Sequence, residues 1–315
     1  MILAATWDTD GLGRAALELL GAATRLAVEL GDQVGLAALG TAAAAEGGGH
    51  GAARAFAIEG DRSASAGDGT IAALAELARE LSARIVLLAA DERGGEAAPR
   101  LAERLSGTAV THAIAVEVED GRPAWTRPVF GGKALSRVTA SFEPVVATLR
   151  RGAFEPALPT GGSASVEMRR APAGHGAVEL IGSEAAGEVA SLEEATVIVA
   201  GGAGLGTPEA FSELEELADL LGGAVGASLA AVDAGWAAPE RQVGLTGKVV
   251  SPDVYFAFGI SGASQHLAGI GGAKAVVAVN TDPDAPIFAA ARLGVVMDGR
   301  ELLRALVDEL RGGES

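Results

Sequence analysis

Short, continuously apolar runs alternate with longer stretches of helical periodicity along most of this chain. The run at residues 85–88 is apolar at every position, which is typical of a strand buried on both faces. The β-branched run at 195–200 is another such strand, and the residues after it have apolar side chains every three or four positions, as a helix covering a sheet requires. Strands that alternate with helices form parallel sheets covered on both faces. We therefore predict an α/β fold with two doubly wound parallel-sheet domains, the C-terminal one Rossmann-like.

The length of 315 residues is enough for about two domains. In the first half, hydrophobic pattern predicts strands at 1–7, 33–39, 84–90, 113–119 and 124–129, and helices at 13–30 and 70–81. In the second half it predicts strands at 195–200, 254–258 and 275–280, a helix capped by Thr207, and a final helix at 300–310. The Ala- and Gly-rich stretch 40–55 is interpreted as a surface loop, and the Pro- and Gly-rich stretch 154–176 as an extended connector.

Composition excludes several classes of function. The formal net charge of −17 argues against nucleic acid or an anionic membrane surface as the main partner. The absence of cysteine removes disulfides, thiol catalysis, iron–sulfur clusters and thiolate zinc sites, and no pair of histidines has metal-ligand spacing. The longest notable uncharged run, 254–273, carries too many glycine and polar residues for a membrane span. With no basic leader at the first residues, we predict a cytoplasmic protein without a metal site.

Two groups of residues could carry chemistry. The glycine-rich loop 201–206 follows a strand and precedes a helix, which suits either a phosphate cradle or a plain structural turn; its spacing is not the dinucleotide fingerprint. Polar residues also recur in 242–250 and 259–267 and at Asn280 and Asp298, where predicted strands end. Open α/β sheets bind ligands at such ends, although turns use the same residue types.

The segments 242–248, 259–269 and 278–288 closely resemble the signature region of the electron transfer flavoprotein alpha subunit. Segments 225–228 and 231–236 match as well, and 127–133 fits the first domain of that family more loosely. The resemblance extends over essentially the whole chain. It moves the expected domain boundary to residue 189, which gives a partner-facing domain at 1–188 and an FAD-binding domain at 189–315.

The resemblance implies one FAD and a heterodimer with an electron transfer flavoprotein beta subunit, which would hold AMP or a second FAD. It implies an electron carrier without substrate turnover of its own. Electrons would come from flavin-dependent dehydrogenases, as in fatty acid β-oxidation, and would pass to a quinone reductase or another acceptor, with no nucleic acid and no membrane insertion.

By position, the resemblance also implies a set of residues around FAD. Thr246 would lie near flavin N5 and His266 near the O2/N1 edge, where a positive or donor group stabilises the reduced anionic flavin. Backbone N–H groups of 262–266 would meet the pyrophosphate or ribityl chain, and Asn280 and Asp298 the adenosine end. The full set is Ser228, Val243, Gly244, Leu245, Thr246, Ser261, Gly262, Ala263, Ser264, Gln265, His266, Asn280 and Asp298.

Three positions depart from the pattern of the family. Members usually have arginine where this chain has Ala203 and Leu229, and glutamine is common where it has Leu245. One unit charge about 4 Å away contributes roughly 4 kcal/mol at an effective dielectric of about 20. Losing both guanidinium groups therefore predicts a lowered or otherwise altered flavin potential and less anionic semiquinone on reduction.

Two other functions remain open from the sequence. A degenerate, non-redox assembly subunit would keep the fold and bind FAD weakly or not at all, but a decayed site should also have lost Thr246, Gln265 and His266. A bifurcating protein that oxidises NADH would depend on features of the beta subunit, which this chain does not contain.

Overall fold

The computed structural model describes residues 1–59, 67–130, 132, 134–172 and 192–312. The chain divides into two compact units, Met1–Ala185 and Ala186–Ser315. The domain boundary predicted at residue 189 falls in the segment 173–191, outside the described residues, and stays a prediction.

The N-terminal unit contains a seven-stranded parallel sheet and a three-stranded antiparallel sheet. The parallel strands are β1 (Ile2–Ala5), β2 (Val34–Ala38), β3 (Arg54–Glu59), β4 (Ile85–Ala89), β5 (Thr108–Ala113), β9 (Val145–Leu149) and β10 (Val166–Arg170), in the order β10-β3-β2-β1-β4-β9-β5. The antiparallel strands are β6 (Ala115–Glu119), β7 (Arg122–Val129) and β8 (Ala134–Thr139). The predicted strand pair around residues 119–122 is confirmed, with Glu119 opposite Arg122.

Helices cover both faces of the parallel sheet. They are α1 (Arg14–Leu30), α2 (Thr41–Gly49), α3 (Asp68–Glu80) and α4 (Glu92–Arg104). Successive residues of β1 point to opposite faces: Ile2 packs in a core with Leu20 of α1, and Leu3 in a second core with Ile71 of α3 and Leu101 of α4. This arrangement confirms the doubly wound fold.

The predicted surface loop at 40–55 is wrong, because this stretch contains α2 and the start of β3. Its small residues are required by close packing. Ala43 and Ala44 are fully buried, and a Cβ on Gly48 would lie 2.1 Å from the backbone nitrogen of Ala164. A helix rich in Ala and Gly for close packing has the same composition as a flexible loop, so composition alone does not distinguish the two.

The interpretation of 154–176 as a connector is also wrong in part. Its residues 166–170 form β10, which pairs in parallel with β3 at the edge of the N-terminal sheet. Backbone hydrogen bonds hold this edge strand, and its side chains are mostly half-buried, so it lacks the apolar run that marks a central strand.

The C-terminal unit is built on one five-stranded parallel sheet. Its elements are β11 (Val197–Gly201), α5 (Ala210–Leu220), β12 (Ala224–Ala227), α6 (Leu229–Asp233), β13 (Val254–Phe258), α7 (Ser264–Ile270), β14 (Ala275–Asn280), β15 (Leu293–Val296) and α8 (Gly299–Gly312). The strand order is β12-β11-β13-β14-β15. The chain reverses direction across the sheet between β11 and β13, and such switch points are where open α/β sheets bind ligands.

The N-cap role predicted for Thr207 is wrong. Helix α5 begins three residues later, at Ala210, after a tight turn in which the Phe211 N–H donates to the Pro208 carbonyl at 3.0 Å. The hydroxyl of Thr207 instead accepts a hydrogen bond from Arg300 of α8 at 3.3 Å. A tertiary contact thus takes the oxygen that would otherwise cap the helix.

Candidate functional site

The loops at the carboxyl ends of the C-terminal strands are bonded to one another. The N–H groups of Gly202 and Gly204 donate to the carbonyls of Phe258 (2.9 Å) and Gly259 (3.0 Å), which joins the loop after β11 to the loop after β13. The N–H of Ile287 donates to the carbonyl of Ser261 at 3.0 Å, which ties in the segment after β14. The strand ends therefore form one connected edge.

The glycine loop 201–206 is explained by this packing. A Cβ on Gly202 would lie 2.2 Å from the carbonyl oxygen of Gly259, and one on Gly204 would lie 2.7 Å from it. No side chain fits at either position. Of the two interpretations that the sequence left open, the structure supports the plain turn: these glycines allow two loops to touch.

The loop 242–248 bridges β12 and α7. The N–H of Val243 donates to the carbonyl of Ala227 at 2.9 Å, directly before Ser228, and the N–H of Leu245 donates to the carbonyl of Gln265 at 2.8 Å. The side-chain amide of Gln242 donates to the hydroxyl of Thr246 at 3.0 Å, so the loop is also closed on itself. Segments about twenty residues apart are thus brought into direct contact.

This contact creates an exposed polar surface. Leu245, Thr246, Ser261, Ala263, Ser264 and Gln265 are exposed. Gly262 is buried beneath it with φ +84°, a conformation that glycine adopts without strain. The exposed predicted site residues of the 242–248 loop and of α7 therefore share one face, whereas Val243 and Gly244 are buried.

His266 lies under this face rather than on it. The imidazole is 6% exposed, and its Nε2 is 3.1 Å from the hydroxyl of the fully buried Tyr255. Burial lowers the pKa of His266 to about 4 and outweighs the opposing effect of the Val243 carbonyl. The ring is therefore neutral at neutral pH. The other ring nitrogen, Nδ1, is buried and makes no hydrogen bond of good geometry.

Of the two options expected for His266, a positive group or a donor, the lowered pKa disfavours the positive group. Tyr255 is the residue that the sequence reasoning missed. It is the single tyrosine of the chain, within an otherwise apolar strand. A buried tyrosine hydroxyl usually has a hydrogen-bond partner, and this rule could have identified Tyr255 as a neighbour of a polar site residue.

The depressed pKa of His266 makes folding of the chain sensitive to acid. The unfolded chain takes up the proton near the ordinary pKa of 6.5, and the folded one only near 4. Stability from this group is complete above pH 6.5 and falls by about 3 kcal/mol as the pH decreases towards 4. We expect His266→Gln to flatten the pH dependence of chemical unfolding between these values; identical slopes in the two proteins would contradict this.

Asn280 and Asp298 already have structural roles. The Asn280 amide donates to the carbonyl of Ile260 at 3.0 Å, and its oxygen accepts from the N–H of Asp282 at 3.0 Å. The Asp298 carboxylate accepts from the N–H groups of Arg300 (2.8 Å) and Glu301 (3.2 Å), which caps α8. Both residues lie at the same sheet edge as the exposed face. Neither needs a ligand to explain its position.

The positions where the family usually has arginine are accessible here. Ala203 and Leu229 are both exposed, at the carboxyl ends of β11 and β12. The cations that flank the 242–248 loop do not replace the missing charges, because Arg241 is paired with Glu215 at 2.6 Å and Lys248 with Glu193 at 3.6 Å.

Comparisons with known proteins agree with this geometry. Residues 191–271 match the family model described as the electron transfer flavoprotein FAD-binding domain, and residues 3–175 match the electron transfer flavoprotein domain. The chain is 38% identical to an electron transfer flavoprotein subunit alpha of Syntrophomonas wolfei, over 98% of this chain and 100% of that protein. The chain belongs to the electron transfer flavoprotein alpha-subunit family. It is also 42% identical to the alpha subunit of Bradyrhizobium diazoefficiens, over 75% of this chain and 77% of that one.

Membership of the alpha-subunit family has three direct consequences. The cofactor is FAD, since the matched C-terminal domain is the FAD-binding one. The role is that of an electron carrier rather than a conventional enzyme. Alpha subunits of this family work with a beta subunit as a heterodimer. A decayed, non-redox subunit is not favoured.

Proposed function

We propose that this chain holds FAD on the face formed by the 242–248 loop and the first turn of α7, and carries electrons between a dehydrogenase and an acceptor. The observation that supports this most directly is the hydrogen bond from Leu245 to Gln265, which joins two signature segments into one exposed surface. His266, next to Gln265 in the chain, is buried beside this surface, and its Nδ1 makes no hydrogen bond of good geometry.

The residues present fit a flavin. The Thr246 hydroxyl already accepts a hydrogen bond from Gln242, so its own hydrogen is free to be donated outward, as an acceptor such as flavin N5 requires. His266 lies beneath this face, 3.1 Å from the hydroxyl of Tyr255, and would act on the O2/N1 edge as a neutral group. When bound, FAD supplies the electron storage, and the chain supplies donors that favour negative charge on the reduced ring.

The remaining predicted contacts complete the proposed site. Ser228 and the loop residues Val243 to Leu245 would line one side of the isoalloxazine ring. Ser261 to Gln265 would line the ribityl and pyrophosphate groups of FAD that lead to the adenosine end. Asn280 and Asp298 would reach the adenosine while keeping the structural bonds described above. Leu245 is exposed and would offer the ring an apolar contact where glutamine is common in the family.

The proposed partners follow from family membership and charge. A beta subunit would bind the N-terminal unit, which we take to extend to residue 188. Flavin-dependent dehydrogenases would donate electrons, and a quinone reductase or a dedicated protein would accept them, without turnover of a substrate by this chain. No helix among the described residues is long and apolar enough to cross a membrane. A cytoplasmic location remains a prediction.

The test is the visible spectrum of this chain co-expressed and purified with its beta subunit. We expect a yellow complex, and Thr246→Val combined with His266→Phe should lower the ratio of flavin to protein. The matched control is Ser212→Ala, which changes a hydroxyl on α5, outside the proposed site. A complex that stays colourless after saturation with FAD would support the degenerate subunit instead.

A further inference from the structure

A second polar site lies in the N-terminal unit, at a bulge near the end of β5. The pairing of β5 with β9 shifts register between Val110 and Ala113, and His112 within this bulge has φ +57°. Positive φ is uncommon for residues other than glycine, and such backbone strain clusters at functional positions. The hydroxyl of Thr148 accepts the His112 N–H at 2.8 Å, which holds the bulge in place.

Two arginines converge on this bulge. A guanidinium nitrogen of Arg127, on β7, donates to the hydroxyl of Thr111 at 3.0 Å. Arg150 follows β9, and its backbone N–H donates to the carbonyl of Ala113 at 2.9 Å. The residues on both sides of His112 are therefore each bonded to one arginine. The side chains of His112, Arg127 and Arg150 interact electrostatically and form what we call the basic cluster.

The basic cluster has unused donors and no counter-charge. Nε of Arg127, and Nε and a terminal nitrogen of Arg150, are buried without hydrogen-bond partners. Within the described ranges, no carboxylate forms an ion pair with either arginine. The pKa of His112 is lowered, mostly by burial and to a smaller extent by the charges of Arg127 and Arg150, and no acidic group raises it. The neighbouring Arg151, by contrast, lies near the carboxylate of Glu18.

Unpaired, buried guanidinium donors are costly, so a ligand that satisfies them is strongly favoured. Arginine N–H groups match the oxygen atoms of phosphate and carboxylate groups. His112 keeps the cluster open to solvent, since this residue is exposed. We propose that His112, Arg127 and Arg150 form a binding site for an oxyanion, supplied either by a free phosphate group or by a carboxylate of the partner subunit. This inference does not depend on FAD binding.

The first test introduces a carboxylate into the proposed site by substitution. Aspartate tolerates positive φ and would place a carboxylate among the arginines. In thermal unfolding of the full chain, we expect sodium phosphate, against sodium chloride at equal ionic strength, to raise the melting temperature. His112→Asp should melt about 2–4 °C higher without phosphate and lose most of the phosphate response. His112→Asn, which has the same backbone preference and no charge, should not melt higher without phosphate.

The second test identifies the source of the anion. Arg150→Gln should abolish the phosphate response, and Arg137→Gln should preserve it, because Arg137 is already paired with Glu117 and Glu119. If the response persists in the complex with the beta subunit, the ligand is a free oxyanion. If it disappears there and Arg150→Gln weakens subunit association at least tenfold, the partner supplies a carboxylate. Absence of both a phosphate response and an effect of Arg150→Gln on association would overturn the proposal.

Discussion

Leu229→Arg is expected to raise the reduction potential of the bound flavin and to increase the amount of anionic semiquinone during reduction. Leu229 is the first residue of α6 and directly follows Ser228 at the end of β12. Its side chain is 49% exposed, so the longer arginine can be accommodated without disturbing the core. The variant restores a guanidinium at a position where the family usually has one.

The size of this effect follows from elementary electrostatics. A unit charge about 4 Å from the reduced ring contributes about 1 kcal/mol at the dielectric of water and about 4 kcal/mol at an effective value of 20. Since a tenfold change in a one-electron equilibrium corresponds to about 59 mV, even the lower limit gives a rise of roughly 40 mV. Because Leu229 is half-exposed, we expect the shift to lie near this lower limit.

Dithionite titration of the purified complex, with the spectrum recorded at each step, measures both quantities. Leu229→Gln is the matched control, because it adds a polar side chain without charge and should shift the potential much less. The shift from Leu229→Arg should also decrease at high salt, where exposed charges are screened. A strongly populated semiquinone in the unmodified complex would contradict the premise that loss of the two arginines destabilises the anionic semiquinone.

Gly262→Ala is expected to destabilise the C-terminal unit by about 2–4 kcal/mol and to release FAD. Gly262 has φ +84°, and a Cβ there would lie 2.3 Å from the backbone nitrogen of Ile287. That nitrogen donates to the carbonyl of Ser261, so the added methyl group must break the bond that holds the loop before α7. Loss of this bond would displace Ser261 and the start of the helix together.

Substitution of a second glycine, Gly206, distinguishes the cost of the positive φ from the cost of the steric clash. Gly206 has a similar φ of +79°, but a Cβ there would meet nothing within 4 Å. Gly206→Ala should therefore cost only about 1 kcal/mol, the conformational part, and should keep the flavin. Calorimetry of the complex and the ratio of flavin to protein measure both effects. Equal losses in the two variants would show that the contact with Ile287 is unimportant.

The alternation of strands and helices was predictable because central strands of a parallel sheet must be apolar on both faces. Residues 254–258 and 275–280 form strands with the predicted bounds. Elements with weaker patterns were missed, including the short strand β12 and the helix α4. Short strands give few positions from which to detect a period, and α4 contains Pro99, which suggests a break when only the sequence is considered.

The candidate site was predicted as a set of residues but not as an arrangement. Motifs at 242–248 and 259–269 identified the segments, and the structure shows that Leu245 and Gln265 join them by a backbone bond that carries no side-chain signature. His266 was predicted as a site residue, but its burial and its neutral state were not. That state depends on burial against Tyr255, which only packing produces.

Local chemistry in the sequence determined the family, the alternation of strands and helices, and the loss of two positive charges at Ala203 and Leu229. These are properties of individual residues and of short spacings, so they can be read along the chain. Tertiary structure decided which polar groups are paired, which glycines are needed for contact, and which cations lack a counter-charge near His112. Burial and pairing depend on residues far apart in sequence, and they arise only when the folded chain removes those groups from water.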